Sequence, residues 1–190
     1  MSLLCIDVSK GMKIFSNPIE EVMFVSAARH GNVALLNKMI PDKARHREWH
    51  SYLVHIACEA GSTNQVCVLE WLHIESYLKK DAMLRPLEYA AVKDNVQCVA
   101  YILDGLNMVS IPTLISISAK NKARRVVRLL ASLFSTEYQT SIAEILSSTG
   151  DARMVMEHLA KYNVVPSKNM LMNLLKRNMM HVVKHCAQKL

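Results

Sequence analysis

The side chains best placed to do chemistry in this sequence are His181, His185 and Cys186. Two histidines four residues apart fall on one face of a helix, where they could ligate a divalent metal. The segment reads His181-Val182-Val183-Lys184-His185, with no glutamate between the histidines and no third ligand implied. His46 and His50 share the spacing, in a stretch that reads as a loop. The five cysteines, Cys5, Cys58, Cys67, Cys98 and Cys186, form no CxxC pair. None is matched with a convincing histidine base, as a nucleophilic thiol requires. Their odd number and apolar surroundings suit free thiols in a reducing compartment. Phosphate-binding GxxxxGK[ST], GxGxxG and the nucleophile motif GxSxG are all missing. The expectation is therefore a chain that is not an enzyme, with no catalytic residue, no metal and no cofactor.

Charge is the more informative chemistry. The chain carries 23 Lys and Arg against 16 Asp and Glu, a net of +7. Residues 1–104 hold 11 cations and 12 acids, a net of −1, whereas residues 105–190 hold 12 cations and four acids, a net of +8. An excess confined to one half predicts a partner of opposite sign at that half. An acidic protein is the expected partner. Nucleic acid or an anionic surface is the alternative, weakened by the scarcity of aromatic residues on which bases could stack.

These groups must be positioned by helices. Of 190 residues, 51% are hydrophobic, 6% are aromatic, and Gly and Pro number five each. That is too few turn and strand formers for a β-sandwich, and the Leu, Ala, Met and Lys content favours helix. No apolar run approaches the roughly 18–20 residues of a membrane span. Leu3-Leu4-Cys5-Ile6 is too short for a secretory signal and lacks a basic flank. A cytoplasmic location is expected.

One pattern recurs along the chain: two small or apolar residues, two polar ones, Gly or Asn, then a branched apolar pair. It reads Ala27-Ala28-Arg29-His30-Gly31 with Leu35-Leu36, then Ala57-Cys58-Glu59-Ala60-Gly61 with Val66-Cys67. It returns as Ala90-Ala91-Val92-Lys93-Asp94-Asn95 with Cys98-Val99, and as Ser118-Ala119-Lys120-Asn121 with Val126-Val127. Ser147-Ser148-Thr149-Gly150 with Met154-Val155 and Leu174-Leu175-Lys176-Arg177-Asn178 with Val182-Val183 complete it. The pairs begin at 35, 66, 98, 126, 154 and 182, so the last three intervals are each 28 residues. Small residues let two helices approach closely, and Gly or Asn turns the chain between them. The branched pair forms the buried stripe of the second helix, which only a stacked neighbour can cover. The prediction is an all-α array of about six helical hairpins, with Leu35, Val66, Val99, Val127, Val155 and Val183 buried. Residues 22–190 form one domain. Residues 1–21 form an N-terminal cap or extension, with a helix start at Asn17-Pro18 followed by Glu20-Glu21.

The stretch Arg85-Pro86-Leu87-Glu88-Tyr89-Ala90-Ala91 through Ile102-Leu103 resembles an ankyrin repeat, whose usual pattern is TPLHxAAxxGHxEVVxLLL. Val54-His55-Ile56-Ala57 is similar to the LHxA segment, and the first repeat matches from Ala27 to Ile40. The likeness covers residues 22–104. The 28-residue period beyond leaves little room for the projecting finger of an ankyrin repeat. The resemblance implies an ankyrin-like helical-hairpin solenoid, a monomer that binds another macromolecule through its concave groove and inter-repeat loops. Divergent arrays of this kind occur in large DNA viruses and in effectors of intracellular bacteria, which implies action on host proteins in the host cytosol or nucleus.

In the ankyrin register, the two residues after each small pair end the inner helix on the concave side. They are Arg29-His30, Glu59-Ala60, Val92-Lys93, Lys120-Asn121, Ser148-Thr149 and Lys176-Arg177. Arg29, His30, Lys93, Lys120, Lys176 and Arg177 are therefore the candidate partner-binding residues. Trp49 joins them as an exposed anchor in one of the two long connections, 41–50 and 73–83. Trp71 reads as core.

Overall fold

The computed structural model describes residues 18–40, 49–106 and 110–188. Within them lie twelve α-helices and no strand. The helices come in pairs: α1 (Pro18–Arg29) with α2 (Val33–Met39), α3 (His50–Ser62) with α4 (Val66–Ile74), and α5 (Leu84–Val92) with α6 (Val96–Leu103). Then follow α7 (Ile111–Lys120) with α8 (Arg124–Ser132), α9 (Gln139–Ser147) with α10 (Ala152–Tyr162), and α11 (Lys168–Lys176) with α12 (Met180–Ala187). Short 3₁₀ turns, Lys80–Met83 and Thr136–Tyr138, lead into α5 and α9. Glu20 and Glu21 occupy the first turn of α1, where the helix dipole favours acids. The expected cap at 1–21 lies almost wholly outside the described residues, as does most of the connection 41–50.

One backbone device builds every hairpin. Gly31, Asn64, Asp94, Lys122, Gly150 and Asn178 all take positive φ, between 55° and 86°, and each stands two residues before an outer helix. A left-handed residue there ends the first helix and reverses the chain. In five turns the next N–H donates back to a carbonyl of the first helix: Asn32 to Ala27, Gln65 to Ala60, Asn95 to Ala90, Ala123 to Ser118 and Met179 to Leu174, all at 2.8–2.9 Å. Lys122 is the costly member, because a side chain at positive φ is strained where Gly is not.

The odd-numbered helices pack in a row, each against the next, and the even-numbered helices form a second row behind them. The core runs unbroken between the rows. Small residues set the spacing of the inner row: Ala28, Gly61, Ala91, Ala119 and Ser147 hold equivalent positions and are all buried. Gly61 shows how tight the approach is, since a Cβ there would sit 2.8 Å from the Pro86 carbonyl oxygen on the neighbouring helix. Leu36, Leu69, Val99, Val127 and Val155 supply the buried stripe of the outer row. Burying each such side chain contributes about 1.5–3 kcal/mol.

The second hairpin departs from its expected register. The sequence pattern puts Gly61 at the turn, but it lies inside α3, and Asn64 takes the left-handed position instead. Helix α3 runs on because Gly61 serves helix packing rather than chain reversal. The buried pair moves accordingly to Val68-Leu69, with Cys67 exposed and Val66 half-buried. Val99, Val127 and Val155 are buried as expected, whereas Leu35 and Val183 are only half-buried. In the first hairpin Leu36 takes the core position in place of Leu35.

Side chains tie neighbouring hairpins together. Asn64 Oδ1 accepts from the Cys98 N–H at 3.4 Å, and Asp94 Oδ1 accepts from the Val126 N–H at 2.8 Å. These two left-handed residues thus cap the outer helix of the following hairpin. Asn32 and Asp151 cap their own outer helices instead, accepting from the N–H groups of Leu35 and Met154 at 3.0 Å.

Candidate functional site

Because every hairpin turns at the same end of its helices, the six turns share one edge of the stack. Six of the residues singled out from sequence fall there in register. Arg29, Lys120 and Lys176 stand two residues before the left-handed position, and His30, Lys93 and Arg177 stand one before it. All six are exposed. In the second hairpin these positions belong to Ser62 and Thr63, correcting the expected Glu59-Ala60: Ala60 is fully buried.

Not all six are free to bind. The Arg29 guanidinium donates to Glu59 Oε2 at 2.7 Å, which raises the Arg29 pKa above its ordinary value. His30 Nδ1 lies 2.8 Å from the Ser26 carbonyl oxygen, to which its N–H donates. Trp49 is half-buried rather than an exposed anchor, with its ring 6.3 Å from those of both Phe24 and Tyr52. Its indole covers the end of the α1–α3 interface, so packing accounts for it.

The second half behaves differently, because its few acids are already engaged. Asp151 takes a forked contact from Arg124 at 3.0–3.2 Å. Burial pushes the Asp151 carboxyl up, but the Met154 N–H and Arg124 together outweigh it and hold the group below its usual range. Glu157 accepts from Arg128 at 2.5 Å and from Arg153 at 2.9 Å. Glu144 accepts from the Ser167 hydroxyl, and Glu137 from the Ser135 hydroxyl. Among the described residues, Lys120, Lys122, Arg125, Lys176 and Arg177 form no ion pair. All five are exposed, and all lie at or beside the fourth and sixth turns.

The fifth turn lies between these two cationic turns. It presents Ser148, Thr149 and Gly150, and their hydroxyls donate back to the Ile145 and Leu146 carbonyls at 2.7 Å. The N–H groups of Gly150 and Asp151 have no acceptor among the described residues, unlike those of the other five turns. The Arg177 side chain leans over this turn: a Cβ on Gly150 would sit 3.4 Å from Arg177 Nη1. Three residues before the Lys120 position, on the same helix face, Tyr89, Ile117 and Ile145 form a column 28 residues apart in sequence. Tyr89 is 47% exposed, and the two isoleucines are half-buried.

Groups that could do chemistry are poorly placed for it. Burial pushes the thiols of Cys58 and Cys98 up to about 12, so neither is a thiolate at neutral pH. The His181 ring is exposed and that of His185 half-buried, while Cys186 is in the core. Among the described residues, no group of three or more His, Cys, Asp or Glu is disposed to hold a metal. A shallow cleft between α8 and α10 is lined by Arg124, Arg128, Glu157, His158 and Tyr162. His158 is buried there, with Nε2 donating to the Gln139 carbonyl at 3.0 Å. Burial lowers its pKa, and Lys161 adds to the effect against that hydrogen bond. No described helix is long and apolar enough to cross a membrane. The chain matches no family model, no curated protein and no solved structure.

Sequence reasoning missed Lys122, the open fifth turn and the Tyr89–Ile117–Ile145 column. The 28-residue period could have found the column, since it places those three residues at one register position.

Proposed function

We propose that this chain is an ankyrin-like repeat array that works by non-catalytic recognition of an acidic protein. The uncompensated cations at the fourth and sixth turns carry the proposal: the acids of that half are engaged internally, so Lys120, Lys122, Arg125, Lys176 and Arg177 are left for a partner. The recurrent left-handed turn and the paired rows of helices support the repeat reading. The four cysteines among the described residues, all free thiols, support a reducing compartment. Recognition uses the concave side and the turn edge of hairpins three to six.

The test is affinity capture from cell lysate with the wild type and with the variant Lys120→Glu/Lys176→Glu/Arg177→Glu, each with and without nuclease. The expected result is a set of proteins held by the wild type after nuclease treatment and lost by the variant. Capture that disappears on nuclease treatment would assign the basic half to nucleic acid instead.

A further inference from the structure

We infer that the partner segment is an extended acidic peptide, carrying two acidic clusters about five or six residues apart, laid along the fourth, fifth and sixth turns. This inference rests on the protein-recognition proposal above and adds the form of the ligand.

The spacing comes from the stack. Neighbouring packed helices stand about 8–10 Å apart, so turns two hairpins apart lie about 16–20 Å apart. One cationic cluster, Lys120 and Lys122, sits at the fourth turn, and Lys176 stands at the sixth, with the Arg177 guanidinium reaching back from it toward the fifth. An extended chain advances about 3.3–3.4 Å per residue, which sets the separation of the acids. A helix advances only about 1.5 Å per residue, so a helical ligand would need its clusters about 11–13 residues apart.

The middle turn decides between the two. The N–H groups of Gly150 and Asp151 are unpaired among the described residues, and Gly150 is exposed. A ligand crossing this turn is best held if it brings carbonyl oxygens. An extended backbone presents them, whereas a helix has already used its own. Arg177 leans over Gly150 and adds a guanidinium to the same spot. Asp151, the acid at this turn, is neutralised by the forked contact from Arg124 and points into the start of α10, where it accepts from Met154, and the Asp94 carboxylate beside the fourth turn is turned onto the Val126 N–H. Beside the turns, Ile117 and Ile145 offer an apolar strip for an uncharged side chain between the acids.

Fluorescence anisotropy with the full chain tests this. Two labelled peptides of about ten residues share one composition. One carries a Glu-Glu pair at each end of an uncharged stretch of about five residues, and the other carries all its glutamates together. At low salt the spaced peptide is expected to bind about tenfold more tightly, as the summed effect of several exposed charge contacts. Lys176→Glu/Arg177→Glu should abolish that preference. So should Asn121→Glu, which places an acid at the exposed fourth turn and removes no core atom. Equal binding of the two peptides overturns the inference, even where the lysate capture above still depends on the cations. A single-stranded oligonucleotide that binds more tightly than either peptide overturns both the inference and the proposal beneath it.

Discussion

Gly61→Ala separates two roles for one glycine. In a solvent-exposed helix, replacing Gly by Ala stabilises by about 1 kcal/mol, because Ala has the higher helix propensity. Gly61 has helical backbone, so no left-handed strain enters. The added methyl would lie 2.8 Å from the Pro86 carbonyl oxygen and 3.6 Å from the Ala90 Cβ. Backbone forms the first of those contacts, so α3 and α5 must move apart to relieve it. Overpacking of this kind costs about 1–3 kcal/mol, which exceeds the propensity gain over most of its range. The net expectation is destabilisation of up to about 2 kcal/mol, read as a melting temperature lowered by about 2–4 °C per kcal/mol for a chain of this size. Thermal denaturation followed by far-UV circular dichroism measures it. Asn64→Gly is the companion, because Asn64 takes the left-handed turn with φ of 62°. That variant loses the bonds to Gln97 and Cys98 but keeps the turn, so its hairpin still folds. A Gly61→Ala protein more stable than the wild type would refute the close approach of α3 to α5.

Three further outcomes follow from individual contacts. Lys122→Gly should raise stability by about 1 kcal/mol in urea denaturation, because it relieves a side chain held at φ of 61°; a loss of stability would show that Lys122 has a compensating role. Asp151→Asn should cost less than Asp151→Ala, since Asn still caps α10 whereas Ala loses cap and ion pair together, at about 1–2 kcal/mol; equal costs would assign the effect to charge alone. His158 has its pKa lowered in the fold, so the unfolded chain binds the proton more readily, and its stabilising effect is present above about pH 6.5 and declines as the pH falls below that value. His158→Gln should flatten this part of the melting temperature against pH, and an unchanged slope would exclude His158 as its source.

Much of the fold was legible because the repeat is strict where it matters. From residue 90 onward the 28-residue register placed Val99, Val127, Val155, Lys120, Lys176 and Arg177 correctly. It failed at Gly61, because a glycine that permits helix contact looks in sequence like one that permits positive φ. It could not find Lys122 at a left-handed position, since lysine carries no turn signal. Nor could it foresee that Arg124 and Asp151, 27 residues apart, would pair across two hairpins. That pairing is what separates engaged charges from available ones, so the candidate site needed three dimensions. Trp49 shows the converse, a residue whose composition suggests an anchor and whose neighbours Phe24 and Tyr52 make it a packing element.

Recognition of an acidic protein by the turn-edge cations, as proposed, is tested most directly by the association rate of a captured protein partner, measured by surface plasmon resonance from low to high salt. The Lys120→Glu/Lys176→Glu/Arg177→Glu variant alters only exposed side chains, so its melting temperature should match the wild type. Charges that steer encounter act mainly on the association rate and are screened beyond about 8 Å at physiological salt. The wild type should associate fast at low salt and slow steeply as salt rises, while the variant associates slowly with little dependence on salt. Equal rates and equal salt slopes for the two proteins would contradict the claim and leave the basic half as a solvated face.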